Sequence, residues 1–364
     1  MAFHILRKIR FFADLEKEAY HLKNVFHARA AHLLPFFRPG RHVLVLTNLC
    51  NLRCPHCFQA HKKSAGAMDE ADWLRVIGQL PRKSIVTITG GEPLIFKGFR
   101  NIFEKAAENH PCNVITNGTL LNEENMALLL GKKNFRVLGV SIDGLKETMR
   151  KVRTLEHEDF EKLVKSLRRF VEMRKETGSF AILNIKTVIL DENAEELYDF
   201  HRFVKEEIGA DTHDLYFLKG SPLQHADAAY PMEECFKPVE PPGYAKKDII
   251  TEQLEKIFAY DDKDSGIKTF LHPKVPMRMV GALLEGRFNP SDYKKCIFPW
   301  SSLHINFNGE VYPCLSVLIG NVKRQSMGEI YKGDAYRAFL KEINRHGILP
   351  ACARCGWLRP VKRQ

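Results

Sequence analysis

Between His42 and Leu218 the sequence swings repeatedly between short β-rich runs and longer stretches with helical spacing, and no other feature limits the possible folds so strongly. His42–Thr47 (HVLVLT), Ile85–Thr89 (IVTIT), Asn113–Thr116, Phe135–Ile142, Phe180–Leu190 and Leu215–Leu218 read as strands. Between them lie helical patterns. One carries Trp73, Leu74, Ile77 and Leu80 behind Asp69, a good N-cap. A second runs from about Phe99 to Glu108, and a third opens at Asn122 with Glu123 and Glu124 at its positive end. The fourth places Phe160, Leu163, Val164, Leu167, Phe170 and Val171 on one face and stops at Gly178. A last one spans about Ala194 to Ile208. Strands separated by helices must run parallel with right-handed crossovers. The expected fold is α/β, a partial (β/α)6 TIM-type barrel over 41–220.

Three other segments flank that unit. Residues 1–40 are basic and amphipathic, with Phe3, Phe11, Phe12, Phe36 and Phe37, and are expected to be helical. They would either pack on the barrel or make peripheral contact with an anionic membrane. Residues 221–295 open with Pro222, Pro231, Pro238, Pro241 and Pro242 and read as a connector interrupted by one helix at about Ile249–Phe258. Residues 296–364 are short, turn-rich and cysteine-bearing, and are expected to form a small separate domain.

Composition narrows the setting. Hydrophobic residues make up 45% and charged residues 27% of 364, which suits a globular chain with a core that needs no disulfide staples. The basic run Arg7, Lys8, Arg10 is not followed by an apolar stretch, so no secretory signal is read, and the cytoplasm is the expected compartment. Nine cysteines in a reducing compartment point to metal or redox chemistry. The net charge of +11 has no recognition helix or base-stacking platform to go with it, so no nucleic acid partner is expected.

Cys50-x3-Cys54-x2-Cys57 follows the first strand directly. Three thiolates from one loop can hold three irons of a cubane and leave the fourth iron open to a small chelating molecule. The loop CNLRCPHC, in this place, resembles the signature of the radical SAM superfamily. Thr89–Pro93 (TGGEP), after the second strand, is similar to that family's glycine motif. The resemblance covers about residues 41–220 and implies a [4Fe–4S] cluster on Cys50, Cys54 and Cys57 that splits S-adenosylmethionine (SAM) to a 5′-deoxyadenosyl radical. It implies further that the backbone of Gly90, Gly91 and Glu92 meets the amino group of SAM, that His56 lies against the adenine, and that Asn117, Ser141 and Asp143 contact the cofactor. Turn formation beside Gly118 and Gly144 is the competing account of Asn117 and Asp143. An electron donor of flavodoxin or ferredoxin type is implied as a partner.

Cys296, Cys314, Cys352 and Cys355 form a second constellation. Cys296-x12-Gly309-x4-Cys314, with FNGEVY between them as a hairpin on an Asn308-Gly309 two-residue turn, resembles the opening of the SPASM/twitch extension. Cys352-x2-Cys355 would close a complete four-thiolate site. That site would hold one auxiliary [4Fe–4S] cluster, with zinc as the alternative. Cys112 and Cys235 have no partner by spacing and are expected in the core. The expected reaction is hydrogen abstraction from a small molecule (a sugar, nucleoside or lipid-linked compound) and net oxidation through the auxiliary cluster. The alternative is a maturase that modifies a ribosomally made peptide. No catalytic acid or base stands out.

Overall fold

The computed structural model describes residues 38–58, 66–225, 228–262 and 268–361. The amphipathic segment read at 1–40 therefore lies almost wholly outside the described residues.

The six expected repeats are present. They run β1 (Arg41–Val45), α1 (Glu70–Gln79), β2 (Ile85–Thr89), α2 (Phe99–Asn109), β3 (Cys112–Thr116), α3 (Glu123–Leu130), β4 (Phe135–Ser141), α4 (Lys146–Arg153), α5 (His157–Thr177), β5 (Ile182–Ile189), α6 (Leu197–Phe203) and β6 (Thr212–Phe217). The caps are local chemistry: Asp69 accepts from the Asp72 N–H, and Asn122 from the Asn125 N–H. β1 to β6 pair in sequence order, all parallel, as a partial barrel. Trp73, Phe103, Phe135, Phe170 and Phe200 fill the layer between strands and helices and are fully buried. Each such side chain contributes about 1.5–3 kcal/mol of burial.

The connector holds more structure than its prolines suggest. It contains α7 (Lys247–Asp262), β7 (Lys268–His272) and α8 (Met277–Leu284). β7 extends the sheet parallel to β6, with Asp214 opposite Phe270 and Tyr216 opposite His272. The cause is a second apolar cluster: Ile250, Leu254 and Ile257 of α7 meet Leu283 and Leu284 of α8 over Leu215, Phe217 and Leu271. A further parallel strand, β8 (Ser302–Ile305), pairs with β1 at the other edge. Strands β9 (Glu310–Tyr312) and β10 (Gly320–Asn321) then continue it antiparallel. Helices α9 (Met327–Lys332) and α10 (Asp334–His346) follow.

The hairpin is where it was expected, but its loop has three residues rather than two. Asn306 N–H donates to Glu310 O, and Gly309 N–H donates back to Asn306 O, which leaves Phe307, Asn308 and Gly309 outside the ladder. Gly309 has φ +86°, the left-handed position that ends such a loop.

Candidate functional site

The cysteine loop leaves β1 through Thr47 and Asn48, both buried, and the glycine turn after β2 is pressed against it. Gly91 N–H donates to Thr47 O at 2.6 Å, and Glu92 N–H to Leu49 O at 2.9 Å. A Cβ on Gly90 would stand 2.5 Å from Thr47 O, and one on Gly91 only 2.3 Å from Leu49 O. The two glycines are thus dictated by close approach of two backbones. An ammonium group only donates, so it can be met here by the carbonyl oxygens of the turn and not by its N–H groups.

The Glu92 side chain is fully buried and engaged within the fold. Its carboxylate accepts from Leu94 N–H (3.0 Å), Thr116 Oγ1 (2.8 Å) and Asn117 N–H (2.7 Å), tying the β2 loop to the end of β3. Burial pushes its pKa up against those three bonds. Asn117 is similarly occupied. Its Nδ2 donates to Asn51 Oδ1 at 2.9 Å and lies 3.7 Å from Cys50 Sγ, while its Oδ1 accepts from Thr119 N–H and Oγ1. Thr119 Oγ1 in turn accepts from Asn51 Nδ2, which closes a ring beneath Cys50.

Asp143 sits at the end of β4, fully buried. Its Oδ1 accepts from Val188 N–H at 2.8 Å, and its Oδ2 lies 2.6 Å from Arg153 Nε and 3.1 Å from His56 Nε2. Burial alone would raise its pKa, but Arg153 and then His56 outweigh that and hold it down at about 2. Arg153 was not foreseen. It ends α4, is buried, and reaches Cys54 Sγ with Nη1 at 3.9 Å. Only a basic last turn on that helix hinted at it. Cys50, Cys54 and Cys57 are all half-buried, and Cys57 N–H closes the C-x2-C turn on Cys54 O. Burial raises the Cys54 pKa to about 11 despite Arg153, with Cys57, Asp143 and Cys50 adding to the rise, so ionisation of Cys54 calls for cationic metal. Ser141 is half-buried in register with Lys186 of β5.

Cys296, Cys314, Cys352 and Cys355 line one apolar cavity, walled also by Phe298, Leu315, Ile348, Trp357 and Leu358. The Cys352-x2-Cys355 turn closes just as the first one does, Cys355 N–H on Cys352 O. Two clamps hold it: Gln224 Nε2 donates to Ala351 O and Ala353 O, and buried Arg354 donates to Leu283 O and Pro242 O. Burial raises the pKa of all four thiols, Cys296 to about 12. Among the described residues, no three His, Cys, Asp or Glu side chains crowd a point that one ion would occupy. Four soft donors spread around a cavity fit a multi-iron cluster better than a zinc ion, whose bonds of about 2.3 Å would gather them. Cys112 and Cys235 are both buried; neither lines that cavity, although Cys235 lies near enough to Cys352 to help raise its pKa.

Residues 44–204 match the radical SAM superfamily, and residues 296–356 match SPASM, an iron–sulfur cluster-binding domain. Over 337 residues the chain is 25% identical to the cysteine-type anaerobic sulfatase-maturating enzyme of Clostridium novyi, covering 85% of this chain and 82% of that protein. Over 354 residues it is 26% identical to Fe-coproporphyrin III synthase of Methanosarcina barkeri, covering 90% and 84%. Its fold is shared with SuiB of Streptococcus suis solved with the precursor peptide SuiA, at TM-score 0.61 and 17% identity over 92% of this chain and 74% of that one. The chain belongs to the radical SAM superfamily and carries a SPASM iron–sulfur domain, which makes it an enzyme of SAM and iron–sulfur clusters.

Proposed function

We propose that this enzyme oxidises a residue within a peptide or protein. The observation that carries the reading is the likeness to the Clostridium sulfatase-maturating enzyme over 85% of this chain and 82% of that protein. The fold shared with peptide-bound SuiB supports it. The small-molecule substrate expected from sequence is the weaker reading, although the likeness to Fe-coproporphyrin III synthase favours a tetrapyrrole within that class.

In this proposal Cys50, Cys54 and Cys57 hold the radical-site cluster, which supplies the single electron that breaks the carbon–sulfur bond of SAM. Arg153 offsets thiolate charge beside Cys54 and is itself oriented by Asp143. Carbonyl oxygens of the Gly90-Gly91 turn take the ammonium group of SAM, and Ser141 faces the same mouth. Asp143 and Asn117 act one step back, placing His56 and Cys50. Cys296, Cys314, Cys352 and Cys355 would hold the auxiliary cluster, which would take the one electron left on the substrate after hydrogen abstraction, as a proton leaves to solvent. A flavodoxin- or ferredoxin-type protein would supply the separate electron that SAM cleavage consumes. Among the described residues no helix is long and apolar enough to cross a membrane.

The test is anaerobic incubation of reconstituted enzyme with SAM, dithionite and acetylated, amidated peptides that vary the central residue. Peptide-dependent 5′-deoxyadenosine, with loss of two hydrogens from the peptide, is expected. Stimulation by a tetrapyrrole, sugar or nucleoside and by no peptide would overturn the reading.

A further inference from the structure

One polar cluster in the barrel belongs to none of the sites above. Lys186 (β5), Asp214 and Tyr216 (β6) and His272 (β7) converge on a single carboxylate oxygen. Asp214 Oδ2 is 3.0 Å from Lys186 Nζ, 3.2 Å from Tyr216 Oη and 3.5 Å from His272 Nε2. Lys186 Nζ also donates to Tyr216 Oη at 3.1 Å, and the Tyr216 and His272 rings stack with centroids 4.4 Å apart. Strand register places the group between the two cofactor regions. Lys186 pairs with Ser141, at the SAM end of β4. On the other side a Cβ on Gly356, next to Cys355, would lie 3.3 Å from His272 Cβ and 3.8 Å from Tyr216 Cε1.

The cluster keeps donors with capacity to spare. An ammonium group has three N–H bonds, and two of them are spent on Asp214 and Tyr216. His272 Nε2 is buried with no good hydrogen bond among the described residues. A purely structural cluster closes its donors, because a buried unsatisfied one costs about 1–3 kcal/mol. Here the open donors sit on the side chains that keep contact with solvent, Lys186 at 20% and His272 at 25%, while Asp214 at 7% is enclosed. The ammonium and the carboxylate cancel, so a neutral acceptor can be taken without burying net charge. A carboxylate ligand would leave one negative charge uncompensated.

We propose that Lys186 and His272, gathered on Asp214 and held in place by Tyr216, form the substrate subsite of the barrel and take a backbone carbonyl beside the peptide residue that is oxidised. This rests on the peptide reading above. Burial would depress the Lys186 pKa, but Tyr216 and Asp214 reverse that and keep it raised, so the lysine stays a donor.

His272→Gln changes a donor and Tyr216→Phe loosens the hold on Lys186, neither stranding a charge, whereas Lys186→Met removes the cation beside Asp214 and is therefore combined with Asp214→Asn. With the peptide pool described above, KM is expected to rise about ten- to a hundredfold in these variants, the size of one hydrogen bond to a charged network, with a far smaller change in kcat. Iron content and melting temperature serve as checks of folding. If peptides stimulate the wild type and both single variants keep KM within about twofold, the subsite is refuted while the peptide reading stands. If no peptide stimulates the wild type, the peptide reading fails and takes this inference with it.

Discussion

Asp143→Asn is the sharpest test of how the radical site is held together. Asp143 and Arg153 form a buried pair at 2.6 Å, with His56 on the same oxygen. The carboxyl pKa falls from 3.8 to about 2 in the folded protein, because Arg153 and His56 overcome the cost of burial. At about 1.4 kcal/mol per pKa unit, this ionisation stabilises the fold by about 2 kcal/mol at neutral pH. The sign follows from a depressed folded pKa: the contribution is complete above about pH 4 and is lost as pH falls toward 2. Asparagine keeps the shape but leaves the guanidinium buried without a counter-charge, which costs about 3–5 kcal/mol. Urea denaturation of the anaerobic apoprotein, read by far-UV circular dichroism, measures the loss. Arg153→Met completes a double-mutant cycle, in which the pair should couple by more than about 1 kcal/mol and the double variant should be more stable than Asp143→Asn alone. Additivity within about 0.5 kcal/mol would refute the argument that this pair is a single electrostatic unit.

Other consequences follow from the same structure. Gly91→Ala drives a Cβ to 2.3 Å from Leu49 O, so the cysteine loop must retreat; we expect about 1–3 kcal/mol of destabilisation and loss of radical-site iron, while full iron with unchanged stability would contradict the close approach. Arg354→Met releases the Cys352-x2-Cys355 turn from Leu283 O and Pro242 O and should lower auxiliary iron selectively, which Mössbauer spectroscopy of the variant checks. His213 is buried between Thr187 and His201, and burial, with His201 adding, lowers its pKa to about 3. Its folded pKa is below the unfolded value of 6.5, so stability is lost as pH falls from about 6.5 toward 3, by about 2 kcal/mol at pH 5; His213→Gln should flatten that slope in urea titrations at pH 7 and pH 5.

The sequence made the barrel and both cysteine sets legible for a local reason: each strand, cap and C-x2-C turn is specified by neighbours in the chain. Asp69 and Asn122 cap the helices they precede. What could not be read is long-range. β8 joins β1 across most of the chain length, and four short residues carry no mark of parallel pairing. β7 and α7 emerge only because their apolar faces find Leu215 and Phe217. At the site, residue type and position were visible, but partners were not. Glu92, Asn117 and Asp143 stand where cofactor contacts were expected, yet their side chains are engaged with Thr116, Asn51 and Arg153. Arg153, Lys186, Asp214 and His272 lie outside any motif, and only register and helix packing bring them to the mouth of the barrel.

The central claim is that one chain carries a SAM-cleaving cluster and a separate auxiliary cluster. The most direct measurement is the iron and sulfide content of anaerobically purified protein, beside a variant lacking Cys50, Cys54 and Cys57. The account predicts about eight irons in the wild type and about four in the variant. About four irons falling to none would contradict it, and would make Cys296, Cys314, Cys352 and Cys355 a site without iron.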